Sequence, residues 1–300
     1  GVPATTYTNT PTAWYKLDQS ANWEADSTGN WQIPDAVSAY PQSFDFVPND
    51  YIEVSDSDSL SFGNGTTDSP FSISAWVNFD DVTNSIVLSK HTTGQFEYSF
   101  LVMSNDKLIF QLNSELGSNL ISRYYNTTIT SYEGQWIHLV GTYDGSSSAS
   151  GIKIYLNGTR VDDTDFTIGT YVAMSNGTAP VQIGRRLTNY MNGKISNAQI
   201  YNTEFSSSQV ETLYNNGVPL TTAIATDNLK AWYKLDNTAT FSTNWSVPDA
   251  SGNGNTGTSS GMTEQNLVNN NVSALNGESS GMTSANLVLT DLTRNLPYDS

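Results

Sequence analysis

The run from Gln135 to Asp163, QWIHLVGTYDGSSSASGIKIYLNGTRVDD, places the tightest limits on how this chain can fold. Its first part alternates large side chains on both faces, which is typical of a strand in the interior of a sheet. Turn-forming residues follow, and a second alternating run, Ile152 to Leu156, ends at Asn157 and Gly158. Asn-Gly is a strong signal for a two-residue hairpin, so the run predicts a three-strand antiparallel meander in an all-β chain.

The residues on either side of this meander continue the strand pattern. Phe71 to Phe79 reads FSISAWVNF with alternating apolar side chains, and further extended runs bring the predicted strands to about a dozen. Only Ser206 to Tyr214 predicts a helix, because Val210, Leu213 and Tyr214 share one face and serine is a favourable N-cap. We therefore expect antiparallel sheets with one short surface helix.

Several of these segments resemble a known family. A strand ending in GTYDG followed by one ending in YLNG is similar to laminin-G-like and pentraxin-like domains, as are FSISAWVNF, VQIGRR at 181–186 and GKISNAQIYNTEFSSSQVETLYNNG at 193–217. The resemblance covers about two thirds of the chain and implies a concanavalin A-like antiparallel β-sandwich, or jelly roll. That fold carries lectins, adhesion modules and inert spacers, so it implies no single function.

Three phrases of the N-terminal part return near the C-terminus. GVP at 1–3 returns at 217–219, AWYKLD at 13–18 returns at 231–236, and NWQIPDA at 30–36 returns as NWSVPDA at 244–250. We interpret residues 1–216 as one laminin-G-like sandwich and residues 217–300 as the truncated start of a second repeat with a Ser/Asn/Gly-rich tail. The tail either is cut from a longer tandem array or packs on the first domain as extra strands.

The tail contains a small repeat of its own. SSGMTEQNLV at 259–268 returns as SSGMTSANLV at 279–288. This phrase and the closing LTRNLPYDS are similar to segments of tandem laminin-G-like surface proteins of marine bacteria and their phages. Because the stretch is rich in Ser, Asn, Gly and Thr, it has few side chains to bury, and we expect extended or irregular structure.

Composition excludes several classes of partner. The chain has 12 Lys and Arg against 29 Asp and Glu, a formal net charge of −17, whereas nucleic acids and anionic lipids require a positive surface. No apolar run approaches the roughly 20 residues that span a bilayer, so we expect no membrane insertion. The chain has no cysteine, which excludes disulfides and thiolate metal sites.

The sequence lacks the catalytic motifs of enzymes with this fold. Retaining glucanases need two carboxylates about 5 Å apart on one strand, but Thr28 and Gly29 stand where a motif beginning at Glu24 and Asp26 requires its second glutamate. His138 lies inside the WIHLV strand, which favours a structural role, and no hydrolase, metalloprotease or nucleotide motif is present. We predict that the chain is not an enzyme.

Calcium is the cofactor that the sequence suits best, because loops dense in Asp, Asn and Gly offer the oxygen ligands that Ca²⁺ prefers. The family resemblance implies a metal-associated D-x-S-G-N loop, which the second repeat keeps, whereas the first repeat has Val37, Ser38 and Ala39 after its aspartate. A local shift of the alignment would let residues near position 26 take the place of that loop in the first repeat. The predicted metal ligands are Asp26, Asn30, Asp35, Asp249 and Asn253.

Glycan binding requires an exposed aromatic face with amide and carboxylate groups nearby. Loop-like contexts place the predicted ligand-binding residues at Tyr124, Tyr125, Asn126, Tyr171, Asn189 and Tyr190. We expect a non-catalytic extracellular module of a cell or virion surface that acts in adhesion and binds glycans with calcium support. The alternatives are an architectural fibre or capsid-decorating subunit that contacts neighbouring copies, and an accessory carbohydrate-binding module of a polysaccharide-degrading enzyme.

Overall fold

The computed structural model describes residues 24–25, 31–33, 42–114, 119–269 and 277–278. The chain divides into two compact units, Gln42–Val268 and the pair Gly1–Pro41 with Asn269–Ser300. In chain order the strands are β1 (Glu24–Ala25), β2 (Trp31–Ile33), β3 (Gln42–Phe46), β4 (Tyr51–Val54), β5 (Phe71–Phe79), β6 (Ile86–Thr92), β7 (Gln95–Val102), β8 (Lys107–Asn113), β9 (Leu120–Thr128), β10 (Trp136–Tyr143), β11 (Ile152–Leu156), β12 (Thr159–Arg160), β13 (Thr164–Ile168), β14 (Val181–Ile183), β15 (Arg185–Arg186), β16 (Asn189–Tyr190), β17 (Gly193–Tyr201), β18 (Leu229–Tyr233), β19 (Thr240–Phe241), β20 (Trp245–Val247), β21 (Gly257–Ser260), β22 (Leu267–Asn269) and β23 (Gly277–Glu278). The described residues include one α-helix, α1 (Ser207–Tyr214).

Two large antiparallel sheets form the unit Gln42–Val268. One has eight strands, in the order β12-β11-β10-β5-β17-β3-β22 with β18 paired to β17. The other has ten strands, in the order β13-β9-β8-β7-β6-β14-β4-β21-β20-β19. Their apolar faces share one core, so the predicted antiparallel β-sandwich of jelly-roll type is confirmed.

The meander predicted from the sequence is present in the eight-stranded sheet. Every residue of β10 from Trp136 to Tyr143 has a partner on β5, and β11 pairs with its other edge. Asn157 and Gly158 have φ values of 51° and 79°, which suit the two-residue turn that joins β11 to β12. The interior position of β10 explains why both of its faces carry large side chains.

One face of β5 and β10 fills the middle of the core. Phe71 lies 4.4 Å from the ring of Phe62 and 5.5 Å from that of Phe110, and all three side chains are buried. Gly141 of β10 faces Phe110, where an added Cβ would lie 2.7 Å from the ring. The glycine therefore lets the two sheets approach to the packing distance of a sandwich.

The helix predicted near residue 206 is also present. The Ser206 hydroxyl accepts a hydrogen bond from the Gln209 amide, and the Gln209 side chain accepts one from the Ser206 amide, which together form a capping box. Val210 and Leu213 are buried, as their spacing predicted. They pack with residues on the second face of the eight-stranded sheet, including Val140 of β10.

His138 of β10 is a packing residue. Its Nε2 lies 2.8 Å from the Ser74 hydroxyl, and its ring contacts Trp76 and Tyr214. A Ser–His hydrogen bond can activate a nucleophile, but the cavity beside this pair measures about 10 Å³, no more than a single water occupies. Burial lowers the pKa of His138 to about 3, so the ring is neutral at neutral pH.

Strands from the second repeat complete both sheets. β18 pairs with β17 in a register that includes Gln199↔Trp232, and β21 pairs with β4 through Glu53↔Thr258. The compact unit therefore crosses the predicted repeat boundary after residue 216. Residues 229–268 supply strands to a sandwich that the first repeat begins, while the division into 1–216 and 217–300 stays a prediction from the repeated phrases.

Replacing Trp245 with Ala tests this contribution of the second repeat. Trp245 is 4% exposed and packs edge-on against Phe44 at 5.0 Å, so we expect Trp245→Ala to lower the free energy of unfolding by about 3–5 kcal/mol. Val218→Ala is the control, because Val218 is 46% exposed, and its expected change is below about 0.5 kcal/mol. Denaturant unfolding measures both, and equal effects would contradict the assignment.

The buried histidine makes stability depend on pH. The folded-state pKa of His138 is about 3 against 6.5 when exposed, so the unfolded chain takes up a proton that the folded chain refuses. This stabilising contribution is present above pH 6.5 and is lost as the pH falls, at about 1.4 kcal/mol per unit. We expect the advantage of the wild type over His138→Gln in unfolding free energy to shrink by about 1.4 kcal/mol between about pH 7.5 and about pH 5.5. A difference that does not change with pH would contradict it.

Candidate ligand-binding site

A short hairpin folds against the outer face of the ten-stranded sheet. β14 ends at Gly184, which has a φ of 83°, and β15 then pairs with β16 through Arg185↔Tyr190. A Cβ at Gly184 would lie 2.6 Å from the Phe46 ring, so the bend requires glycine. The Ser89 hydroxyl on β6 donates to the Arg185 carbonyl at 2.8 Å and holds the hairpin on the sheet.

The hairpin places one arginine against two tyrosines. The Arg185 Cζ lies 4.4 Å from the centroid of the Tyr51 ring and 5.7 Å from that of the Tyr190 ring. Its Nε donates to the Leu187 carbonyl at 2.9 Å, which fixes the guanidinium plane. The rings attract the cation through their quadrupoles, so this trio is held in place without a carboxylate.

Beside the trio lies a groove of about 250 Å³. This is somewhat smaller than a typical drug-sized ligand pocket of about 300–1,000 Å³, and its size suits one or two sugar rings rather than a long buried chain. The residues that line it come from β4, β6, β14 and the hairpin: Glu53, His91, Thr92, Thr93, Pro180, Gln182, Arg185, Leu187 and Thr188. We call this feature the Arg185 groove.

The groove belongs to a row of polar side chains that crosses the ten-stranded sheet. Cross-strand pairing aligns, from β9 to β20, Ser122, Gln111, Ser99, Ser89, Gln182, Glu53, Thr258 and Ser246. Along β4 and β14 these residues alternate with core residues such as Ile52 and Val181, so the row faces away from the core. Hydroxyl, amide and carboxylate groups therefore lie side by side on this face.

The Arg185 groove contains an arginine that has no carboxylate partner among the described residues of this acidic chain. Within the described residues, neither Arg185 nor Arg186 forms an ion pair. The Arg186 Nε and the buried His91 Nδ1 have no hydrogen-bond partner there either. Burial, assisted by the charge of Arg186, lowers the pKa of His91 to about 3, so the charged side chains that line the groove are Arg185 and Glu53.

The chemistry of the groove suits binding rather than hydrolysis. A retaining glycosidase needs two carboxyl groups about 5 Å apart, and Glu53 is the single carboxylate among the described groove residues. Its Oε2 accepts a hydrogen bond from the Gln182 side chain at 3.0 Å. Aromatic faces with amide, carboxylate and guanidinium groups match the ring faces and hydroxyls of sugars.

Two of the six predicted ligand-binding residues lie at this site. Asn189 and Tyr190 form β16, where the Tyr190 ring flanks Arg185. Tyr124, Tyr125 and Asn126 instead lie on β9, which β8, β7 and β6 separate from β14 in the sheet. The structure therefore divides the predicted set between two regions of one sheet.

The β9 residues have partners of their own. Tyr124 lies 5.7 Å from the Phe166 ring, and Tyr125 is half-buried against the core. The Asn126 side-chain carbonyl accepts a hydrogen bond from the Lys107 ammonium at 2.6 Å. These contacts tie the end of β9 to its neighbouring strands.

Tyr171, the sixth predicted residue, is bonded to a buried carboxylate. Its hydroxyl and that of Tyr143 both donate to Asp68 Oδ2 at 2.8 Å, and the Met174 amide donates to Oδ1 at the same distance. Burial raises the pKa of Asp68, and these three hydrogen bonds oppose that rise. The cluster fastens the segment after β13 to the core.

Sequence reasoning missed the residues at the centre of the groove. Tyr51 and Glu53 on β4 are far in sequence from Gln182 and Arg185, and the sheet register alone brings them together. The available signal was the adjacent pair Arg185 and Arg186 in a chain with only 12 basic residues. The family resemblance of VQIGRR gave that pair no ligand-binding role.

Three predicted metal ligands, Asp26, Asn30 and Asp35, lie outside the described residues. Of the other two, Asp249 has both oxygens engaged by backbone amides. Oδ1 accepts from Trp232 and Ser251 at 2.9 Å, and Oδ2 accepts from Asn255 at 3.1 Å. The aspartate therefore closes its own loop on β18.

Asn253 strengthens the same loop. Its side-chain nitrogen donates to the Leu229 carbonyl at 2.8 Å, and contacts the Lys230 carbonyl at 3.2 Å. We call residues 249–255 the Asp249 loop. In the described part of the chain, no three His, Cys, Asp or Glu side chains are grouped to hold a metal ion.

Within the ranges that the structure describes, no helix combines the length and apolar character that a membrane span requires.

A solved structure with a TM-score above 0.5 supports this architecture. A candidate carbohydrate binding protein from Bacteroides ovatus aligns with a TM-score of 0.52 at 18% identity, covering 80% of this chain and 68% of that one. The native heptameric SAP-like pentraxin of Limulus polyphemus gives 0.37 at 16% identity, covering 60% and 84%. Domains LG4-5 of the mouse laminin alpha1 chain give 0.39 at 13% identity, covering 59% and 44%.

Sequence comparison identifies the family. None of the curated proteins compared with the chain matches it. A laminin G-type family model, described as the concanavalin A-like lectin/glucanases superfamily, matches residues 48–211, which is more than half of the chain. The chain therefore belongs to the laminin-G-like family of the concanavalin A-like lectin/glucanases superfamily.

Proposed function

We propose that this chain is a non-catalytic carbohydrate-binding module and that the Arg185 groove is its binding site. The observation that carries the proposal is the guanidinium held between Tyr51 and Tyr190, next to a row of outward-facing polar side chains. A sugar in the groove would contact the Arg185 guanidinium while Gln182, Glu53 and the threonines hydrogen-bond its hydroxyls.

The charges of the groove narrow the class of glycan. Arg185 and Arg186 have no carboxylate partner within the described residues, so an acidic substituent on the sugar would supply one. The net charge of −17 nevertheless repels densely charged polymers at long range. We therefore propose a glycan with sparse acidic groups, such as isolated uronic acids, rather than a heavily sulfated chain.

The location and biological context are part of the same proposal. The family and the repeated phrases support an extracellular module of a cell or virion surface that adheres to glycans. Calcium support also remains a proposal. Because the groove contains one described carboxylate, we expect glycan binding there to persist without calcium.

A glycan array followed by titration calorimetry tests this function. We expect the wild type to bind oligosaccharides that contain uronic acid, and Arg185→Ala to weaken that binding about 10- to 100-fold by removing a charge-assisted contact. Arg160→Ala is the control, because Arg160 is an exposed arginine on β12 of the other sheet, paired with Asp162. Its affinity should equal that of the wild type.

The outcomes of this test are distinct. Absence of binding to every glycan, or equal affinity of Arg185→Ala and wild type, would overturn the proposed site. Loss of binding in EDTA, restored by added Ca²⁺, would support the predicted cofactor and contradict the expected independence from calcium.

A further inference from the structure

A lysine lies on the core face of the ten-stranded sheet. Lys90 of β6 is opposite Val181 of β14, which is in turn opposite Val54 of β4, and both valines belong to the core. Residues that lie directly opposite each other project from the same face of a sheet, so the Lys90 side chain points into the sandwich. It is fully buried, which is rare for lysine unless the ammonium is paired.

Two carboxylates and one carbonyl surround the ammonium. The Lys90 Nζ lies 2.6 Å from Asp56 Oδ1 and 2.9 Å from Glu97 Oε1, and it donates to the Ala179 carbonyl at 2.7 Å. The Glu97 side chain is buried, whereas that of Asp56 is 27% exposed. The cation is therefore in contact with one carboxylate that is shielded from water and one that reaches the surface. We call Asp56, Lys90 and Glu97 the Lys90 cluster.

Glu97 is held in place and is suited to accept a proton. Its Oε1 accepts hydrogen bonds from the Ser61 hydroxyl at 3.3 Å and from the Gly177 amide at 3.2 Å. Its Oε2 is buried and has no hydrogen-bond partner within the described residues. Burial raises the pKa of Glu97 to about 7 against the opposing effect of Lys90, so this carboxyl group can take up and release a proton at neutral pH.

The other lysine ion pairs of the described residues differ from the Lys90 cluster in their exposure. Lys153 pairs with Glu204, and Lys194 pairs with Asp45 and Asp80, and every one of these side chains is at least 27% exposed. Charges in such pairs stay hydrated. Burial in the Lys90 cluster instead disfavours the charged forms, so a reaction that replaces an ammonium and a carboxylate by a neutral group is favoured there.

We propose that Lys90 Nζ and Asp56 Cγ form an amide bond, with Glu97 as the catalytic proton carrier. Glu97 takes a proton from the ammonium, and the amine lone pair attacks Asp56 Cγ. The bond from Cγ to one carboxylate oxygen then breaks. That oxygen leaves as water with two protons that came from the ammonium, which Glu97 passes on. One ammonium and one carboxylate thus give one amide and one water, without an oxidant or a cofactor.

The geometry replaces chemical activation of the carboxylate. Reacting groups held in contact and in orientation reach effective concentrations on the order of 10⁵–10⁸ M. Asp56 is the acyl partner because its oxygen is the nearer to Nζ and its exposed side gives the released water a path to solvent. Glu97 keeps its place through its additional hydrogen bonds.

The bond would staple two strands that are not neighbours. Asp56 lies two residues after β4, and β14 separates β4 from β6 in the sheet. The amide would close a loop that contains β5, and a closed loop stabilises the fold by restricting the unfolded chain. This chain has no cysteine, so the amide would supply a covalent cross-link that needs no oxidising environment.

The intact mass of the purified full chain, measured after denaturation, tests the proposal. We expect it to be one water lighter than the mass calculated from the sequence. Trypsin should leave the chain uncut after Lys90, because an amidated lysine is no longer a cleavage site, so the peptide should continue to Lys107. Fragmentation of that peptide should assign the lost water to Asp56 and Lys90.

Three variants separate this reaction from other causes of a lower mass. Lys90→Met keeps the length of the side chain without its amine and should restore the calculated mass. Glu97→Gln keeps the shape without the proton carrier and should slow the cross-link about 100-fold or more. Lys153→Met removes an exposed ion pair and should leave the mass deficit unchanged. Circular dichroism establishes that each variant is folded.

A succinimide is the other product by which an aspartate loses water. Mild alkali hydrolyses a succinimide and restores the mass, whereas an amide between side chains persists. We therefore expect the deficit of the wild type to survive this treatment.

Four results would overturn the proposal. They are a folded wild type with the full calculated mass, a deficit that persists in Lys90→Met, a cross-link that maps to Glu97 instead of Asp56, and a folded Glu97→Gln variant that reacts at the wild-type rate. If a variant does not fold, the mass and the peptide map of the wild type still decide whether the bond exists. Because the assay contains no glycan, no result depends on the proposed function.

Discussion

The pairing of β4 with β14 on one edge and β21 on the other is the interaction on which the remaining structure depends. It makes β4 an interior strand, so Ile52 and Val54 are buried in the core while Tyr51 and Glu53 face outward. One edge thereby fixes the wall of the Arg185 groove, and the other pairs with β21 of the second repeat. The proposed ligand site and the assembly of the sandwich therefore use opposite edges of a four-residue strand.

The binding chemistry that we propose for the Arg185 groove depends on where its charges lie as well as on its shape. Half of the lysines and arginines in the described residues form ion pairs with carboxylates, as Lys90 does with Asp56 and Glu97 and Arg123 does with Asp162. Arg185 is held by aromatic rings and a carbonyl instead, which leaves its charge available to a ligand. In a chain of net charge −17, such a position is the basis for the acidic glycan that we propose.

Local sequence patterns predicted the secondary-structure elements that local interactions determine. The β10 to β12 meander, its Asn157-Gly158 turn and α1 follow from alternation, turn preference and capping, and the fold follows from their combination. The groove and the extent of the compact unit depend on pairing between distant strands. Repeated phrases indicate where a copy begins, but they do not determine which strands pair. A sheet edge accepts any strand of matching register. Residues 229–268 therefore complete a sandwich that the repeat boundary assigned to residues 1–216.

Amide hydrogen exchange of the full chain, read out separately for each strand, tests this account most directly. The account predicts that the amides of β18 and β21 exchange as slowly as those of β17 and β4, because all four strands open only with the whole sandwich. It would be contradicted if β18 and β21 exchanged at the rate of an unstructured peptide while β5 and β10 stayed protected.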